Sequence, residues 1–177
     1  MLSLLAVIVV SSIAGPQRKR NNHALASDTR FGLQLTVQLD RKTFQLEDTP
    51  ILKIALKNMN ETPIAIYKRL GWGGSSSFSL IILDEKDKAV IGRMIDDAKP
   101  APPFTRDDFV VIQPGETIRQ ERALGFESKG ITTPGVYKFI VMYHSPVPNE
   151  FAPKDLVIWP MENGVLQAKP VTFNVTQ

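Results

Sequence analysis

The chain has 177 residues, 43% hydrophobic and 22% charged, with 11 Gly, 13 Pro and no Cys. That is the composition of one folded domain or two small ones, and it excludes a disordered tail, a collagen repeat and a coiled coil. Without cysteine there is no disulfide framework, thiolate zinc site or cysteine nucleophile, while the formal charge of +3 raises a nucleic-acid or membrane reading until its location is known.

The segment from Leu2 to Ile13 is apolar apart from Ser3, Ser11 and Ser12. About 12 residues is too short for a helix across a ~30 Å hydrocarbon core, and it suits the apolar region of a secretory signal peptide. Small residues offer two cleavage points, Ser12-Ile13-Ala14 and Ala24-Leu25-Ala26. No basic residue precedes the run, and the first basic cluster is Arg18-Lys19-Arg20, so an uncleaved anchor with a basic flank also fits. The expected division is a signal peptide or membrane-targeting segment over 1–26, a linker over 27–32 and a folded domain over 33–177. The expected location is secreted, periplasmic or cell envelope, with membrane contact only through the N-terminal segment. Residues 1–26 hold three basic side chains and no acidic one, which leaves the remainder balanced at 18 against 18. The excess charge is Arg18, Lys19 and Arg20, and no nucleic-acid partner is expected of the domain.

From Leu33 the period is two. Leu33, Leu35, Val37 and Leu39 alternate with Gln34, Thr36 and Gln38, the pattern of a half-buried strand. The same pattern, or a short apolar run closed by turn residues, predicts strands over 51–58, 64–67, 78–83, 89–91, 109–112, 117–124, 136–143 and 171–175. Gln113-Pro114-Gly115-Glu116 and Thr133-Pro134-Gly135 carry turn chemistry, with Pro presetting φ and Gly accepting positive φ. About nine short strands and no amphipathic helix of three turns indicate an all-β sandwich or barrel. If connections alternate between two ends, 58–63, 84–88 and 113–116 share one end. The longer loops 68–77, 92–108 and 125–135 then share the other, and 144–165 returns to the short-turn end. The long-loop end is the expected recognition surface.

Catalytic constellations are weak. His144 is the one imidazole within 33–177, too few for a multi-histidine zinc site and without an evident triad. Gly71-Trp72-Gly73-Gly74-Ser75-Ser76-Ser77 lacks the third glycine of a dinucleotide fingerprint and the glycine after serine of a nucleophile elbow. It reads as a flexible loop or as a binding loop presenting Trp72, with Tyr67 and Phe104 as further ligand-binding candidates through their aromatic faces. The pairs Asp96-Asp97 and Asp107-Asp108 have no calcium-loop spacing. No metal or other cofactor is expected, and no catalytic residue is assigned.

The combined pattern is carried by Leu33-Gln34-Leu35-Thr36-Val37, Leu56-Lys57-Asn58-Met59-Asn60-Glu61-Thr62-Pro63-Ile64, Phe78-Ser79-Leu80-Ile81-Ile82-Leu83-Asp84 and Ile112-Gln113-Pro114-Gly115-Glu116. It continues through Pro134-Gly135-Val136-Tyr137-Lys138-Phe139 and Lys169-Pro170-Val171-Thr172-Phe173-Asn174-Val175. It resembles exported bacterial immunoglobulin-like β-sandwich domains, including the accessory sandwich of deuterolysin-type metallopeptidases and, more loosely, BsuPI-like proteinase-inhibitor domains. The resemblance covers about residues 31–177. It implies a single immunoglobulin-like antiparallel β-sandwich that is not an enzyme and acts as an inhibitor, spacer or adhesive module. The expectation is a monomeric binding module for a protein or a cell-surface polymer. The alternatives are a proteinase inhibitor acting through a long loop and a carbohydrate-binding module using Trp72.

Overall fold

The computed structural model describes residues 25–71, 76–92, 102–124 and 130–177. Among them the chain order is β1 (Leu25–Arg30), β2 (Leu33–Leu39), β3 (Thr43–Gln45), β4 (Ile51–Asn58), β5 (Ile64–Tyr67) and β6 (Phe78–Leu83). It continues with β7 (Ala89–Gly92), β8 (Phe109–Ile112), β9 (Thr117–Ala123), β10 (Gly135–His144), β11 (Val165–Gln167) and β12 (Val171–Thr176). Among the described residues helical structure is limited to single 3₁₀ turns such as Arg106–Asp108. All nine expected strands are present, and the fold is an all-β sandwich.

One sheet runs β1-β2-β4-β9, the other β3-β12-β10-β6-β7, and β5 pairs β8 in a short separate ladder. The alternation in sequence decides the layering. Leu33, Leu35, Val37 and Leu39 of β2 and Leu52, Ile54 and Leu56 of β4 are all buried on the inner face. They share one core with Tyr137, Phe139, Val141 and Tyr143 of β10, Leu80 and Ile82 of β6, and Val171, Phe173 and Val175 of β12. Phe139 and Phe173 stack at 4.4 Å between centroids, and Phe44 of β3 meets Phe173 edge-on at 6.0 Å. Such aromatic pairs add to the burial of their own large areas.

Strand β9 is treated differently. It is an edge strand, and its inward positions after Ile118 are Gln120 and Arg122. Arg122 donates from Nη2 to the Leu70 carbonyl at 2.9 Å and to Gln120 Oε1 at 3.0 Å. An inward charge at an edge discourages pairing with another chain.

Four expectations are corrected. Residues 27–32 are not a linker. Leu25–Arg30 pairs antiparallel with β2 through the two-residue turn Phe31-Gly32, so 27–30 belongs to the sheet. Both turn residues have positive φ, 46° and 73°, the geometry that matches a hairpin's right-handed twist. The signal was hidden because 25–30 lacks a clean alternation and a glycine-tolerant first turn position is filled by Phe31.

The strand count is twelve rather than about nine among the described residues, with β1, β3 and β11 the additions. The short β3 and β11 each bury one inward residue, Phe44 and Leu166, which no periodicity reveals. Pairing is not wholly antiparallel either. The chain leaves the first sheet after Leu39, crosses through Asp40-Arg41-Lys42, and adds β3 parallel to β12.

The assignment of loops to ends also changes. The Ser77 carbonyl accepts from the His144 amide at 2.9 Å, so the connection that ends at Ser77 meets the start of 144–165 there instead of opposing it. Asp87 reaches Lys138 at 2.5 Å, which places the 84–88 turn beside the start of β10 and the 130–135 segment. The reason is that β5 and β6 do not pair with each other: β5 joins β8 and β6 joins β10. The segment between them is therefore not a hairpin crossing.

Candidate functional site

The three aromatic candidates separate. Trp72 lies outside the described residues. Tyr67, at the end of β5, is 3% exposed, so its ring is a packing element rather than an open platform. Phe104 is half-buried and meets Tyr67 edge-on at 6.1 Å and Phe109 at 6.3 Å. Together with Val147 and Ile158 these residues form a second, smaller core beside the main one. The structure thus brings Tyr67 and Phe104 together, and only Phe104 retains a face toward solvent.

The long 144–165 connection is held rather than free. Ala65 donates to the Val157 carbonyl at 2.7 Å, and the Trp159 amide donates to the Ala65 carbonyl at 2.8 Å. Trp159 is fully buried and meets Tyr143 edge-on at 5.2 Å. Arg106 pairs with Asp155 at 2.6 Å, tying the 105–108 turn to the same connection. Between these anchors Val157 is 70% exposed.

The titratable candidates show little catalytic preparation. His144 is buried, with Nε2 3.5 Å from Ser79 Oγ, and burial pulls its pKa down. Ser79 is buried as well, so the pair faces the protein rather than a cleft. Asp108 serves its own turn, accepting from the Thr105 amide at 2.9 Å and the Thr105 hydroxyl at 3.1 Å. That amide hydrogen bond holds its carboxyl below the usual range. Asp96 and Asp97 lie outside the described residues, and among those described no three His, Cys, Asp or Glu side chains cluster as a metal site would require.

One surface was not read from the sequence as a site. The outer face of β2, β4 and β9 carries a depression of about 430 Å³. Its floor is Ala55, and the register sets Thr36 on one side of it and Arg119 on the other. Lys53 and Lys57 stand two residues before and after Ala55 on the same face, with Gln38 and Gln34 opposite them. Glu121 lies opposite Lys53, at 3.6 Å from its ammonium. Among the described side chains lining the depression, three are cations and one is an anion. The alternation marks Lys53, Ala55 and Lys57 as outward, but only the strand register reveals Arg119 beside Ala55.

No family model matches the chain, and no curated protein matches it. Among solved structures it is similar to a β-glucosidase from Listeria innocua in complex with glucose, at 15% identity and a TM-score of 0.41. That likeness covers 85% of this chain and 16% of the other. It is also similar to a β-glucosidase from Erythrobacter marinus, at 14% identity and a TM-score of 0.39 over 85% of this chain and 16% of that one. The chain therefore spans a small part of the length of these enzymes, and likeness at this level carries no argument about activity.

Proposed function

We propose that the chain is an exported, non-enzymatic, immunoglobulin-like interaction module that binds a protein or a surface polymer. The observation that carries the reading is the open outer face of β2, β4 and β9, a broad polar surface with a shaped depression. The kinship is supported by the strand order, with β2-β4-β9 in one sheet and β12-β10-β6-β7 in the other. It is also supported by the hydrogen bond from Tyr137 at the start of β10 back to the Thr133 carbonyl, a feature of immunoglobulin-type sandwiches. The apolar run over Leu2–Ile13 supports export. A reporter fused after residue 30 tests the export step: delivery across the membrane is expected, and cytoplasmic retention overturns it. Pull-down from an envelope fraction by the full chain tests binding: a saturable partner is expected, and none at micromolar protein overturns the reading.

The exposed Val157 favours a second reading, a proteinase inhibitor. An apolar side chain on a segment held at Ala65 and Arg106 is presented at low entropic cost. That reading requires stoichiometric inhibition of some protease, and undiminished turnover across a broad panel excludes it.

A further inference from the structure

We propose that the outer face of β2, β4 and β9 binds an acidic polysaccharide, seated over Ala55 between Lys53, Lys57 and Arg119. The inference deepens the interaction-module reading and rests on it, since it names the site and the chemistry of the partner.

The register builds the site. Ala55 offers only a methyl group between longer neighbours, so a ligand chain settles there close to the backbone. Lys53 and Lys57 are four residues apart on one strand, about 13 Å at ~3.3 Å per residue. Arg119 stands beside Ala55 on the adjacent strand, about 4.8 Å across the ladder. The cations therefore follow the strand direction with a third at their midpoint, an arrangement suited to charges repeated along a polymer. Glu121 engages Lys53 alone, and Lys57 and Arg119 have no acidic partner within ion-pair distance among the described residues. The overall balance of the domain conceals this local excess.

The neutral side chains select the polymer class. Gln34, Thr36 and Gln38 form a row on β2 beside the cations. Amides and hydroxyls both donate and accept, which matches sugar hydroxyls. The Arg119 guanidinium presents a planar fork that fits a carboxylate in a two-point contact. Among the described residues no aromatic ring lines the depression. A neutral glycan therefore finds no face to stack on, and an unpaired nucleic-acid base finds no stacking platform.

The test uses the full chain with polygalacturonate, and with dextran, polyglutamate and oligothymidine as the comparison polymers. Binding to polygalacturonate is expected, and it should weaken on the order of tenfold as salt rises from about 50 to about 200 mM. The pair Lys57→Gln with Arg119→Gln should weaken it about tenfold or more with the thermal midpoint little changed, because both side chains stand on the outer face of the sheet, Arg119 exposed and Lys57 half-buried. Glu121→Gln should strengthen it about twofold or more by releasing Lys53. Equal or tighter binding to dextran, polyglutamate or oligothymidine overturns the proposal, as does no binding to polygalacturonate or an unaffected double variant. If the double variant still captures the envelope partner, this site fails while the interaction-module reading stands.

Discussion

The phenolic hydroxyl of Tyr137 donates to the main-chain carbonyl oxygen of Thr133 at 2.8 Å, four residues back along the chain. The bond spans the corner where the 130–135 segment turns into β10. The ring above it packs on Phe173 at 5.8 Å, so the tyrosine joins the corner to the core. Replacing Tyr137 by Phe keeps the ring and removes the donor. The expected loss is about 1 kcal/mol, typical for one net hydrogen bond. Urea denaturation checks it: the midpoint should fall with the slope unchanged, because the same surface is exposed on unfolding.

Six residues further along the same strand, the opposite sign is expected. Tyr143 is fully buried, and its hydroxyl has no hydrogen-bond partner among the described residues. Burial alone pushes its pKa up. The ring is well placed, edge-on to Phe78 at 5.7 Å and to Trp159 at 5.2 Å. Tyr143→Phe preserves these contacts and relieves the desolvation of an unpaired hydroxyl. A gain of about 1 kcal/mol is expected in the same denaturation experiment. A loss of stability would mean that the hydroxyl is bonded in solution.

The turn between β1 and β2 rests on glycine. Gly32 has a φ of +73°, and a Cβ there would come within 1.7 Å of Asn60 Oδ1. Gly32→Ala therefore combines left-handed strain with displacement of the Asn60 side chain, for a loss of about 1–2 kcal/mol. Amide hydrogen exchange locates the effect. Protection should fall first in β1, whose pairing to β2 the turn sets, and remain in β4. Equal loss across the whole sheet would contradict a local role for the hairpin.

The strands that sequence revealed are those with several alternating residues on one face, such as β2 and β4, or a continuous apolar run, such as β10. Burial of one face imposes that pattern, so the pattern can be inverted. β3 leaves no such trace, because three residues with one inward Phe44 cannot show a period. Its parallel pairing to β12 depends on a chain crossing that only the packed sheets define. The site followed the same rule. Tyr67 and Phe104 were visible as aromatics, but whether they faced solvent depended on the 144–165 connection folding over them. Lys53 and Lys57 were legible as outward residues of β4. Arg119 becomes their neighbour through pairing between strands more than 60 residues apart, a long-range register that charge counting averages away.

His144 provides a pH test of the folded core. It lies at the end of β10, 7% exposed, with its amide donating to the Ser77 carbonyl at 2.9 Å. Burial lowers its pKa from the ordinary 6.5, so the folded protein holds the neutral imidazole where the unfolded chain already accepts a proton. In that interval the unfolded state binds more protons, and stability rises with pH. The contribution is fully present above about pH 6.5 and is lost as pH falls toward the folded pKa, where it levels off. Asp48 adds a separate loss at lower pH, since the Gln45 amide holds its carboxylate below the ordinary 3.8. Thermal melts from about pH 8 to about pH 2 separate the two. The parent midpoint should decline below about pH 6.5, and His144→Gln should flatten the curve there while keeping the decline at lower pH. Identical curves for parent and variant would show that the imidazole is not desolvated in the folded protein.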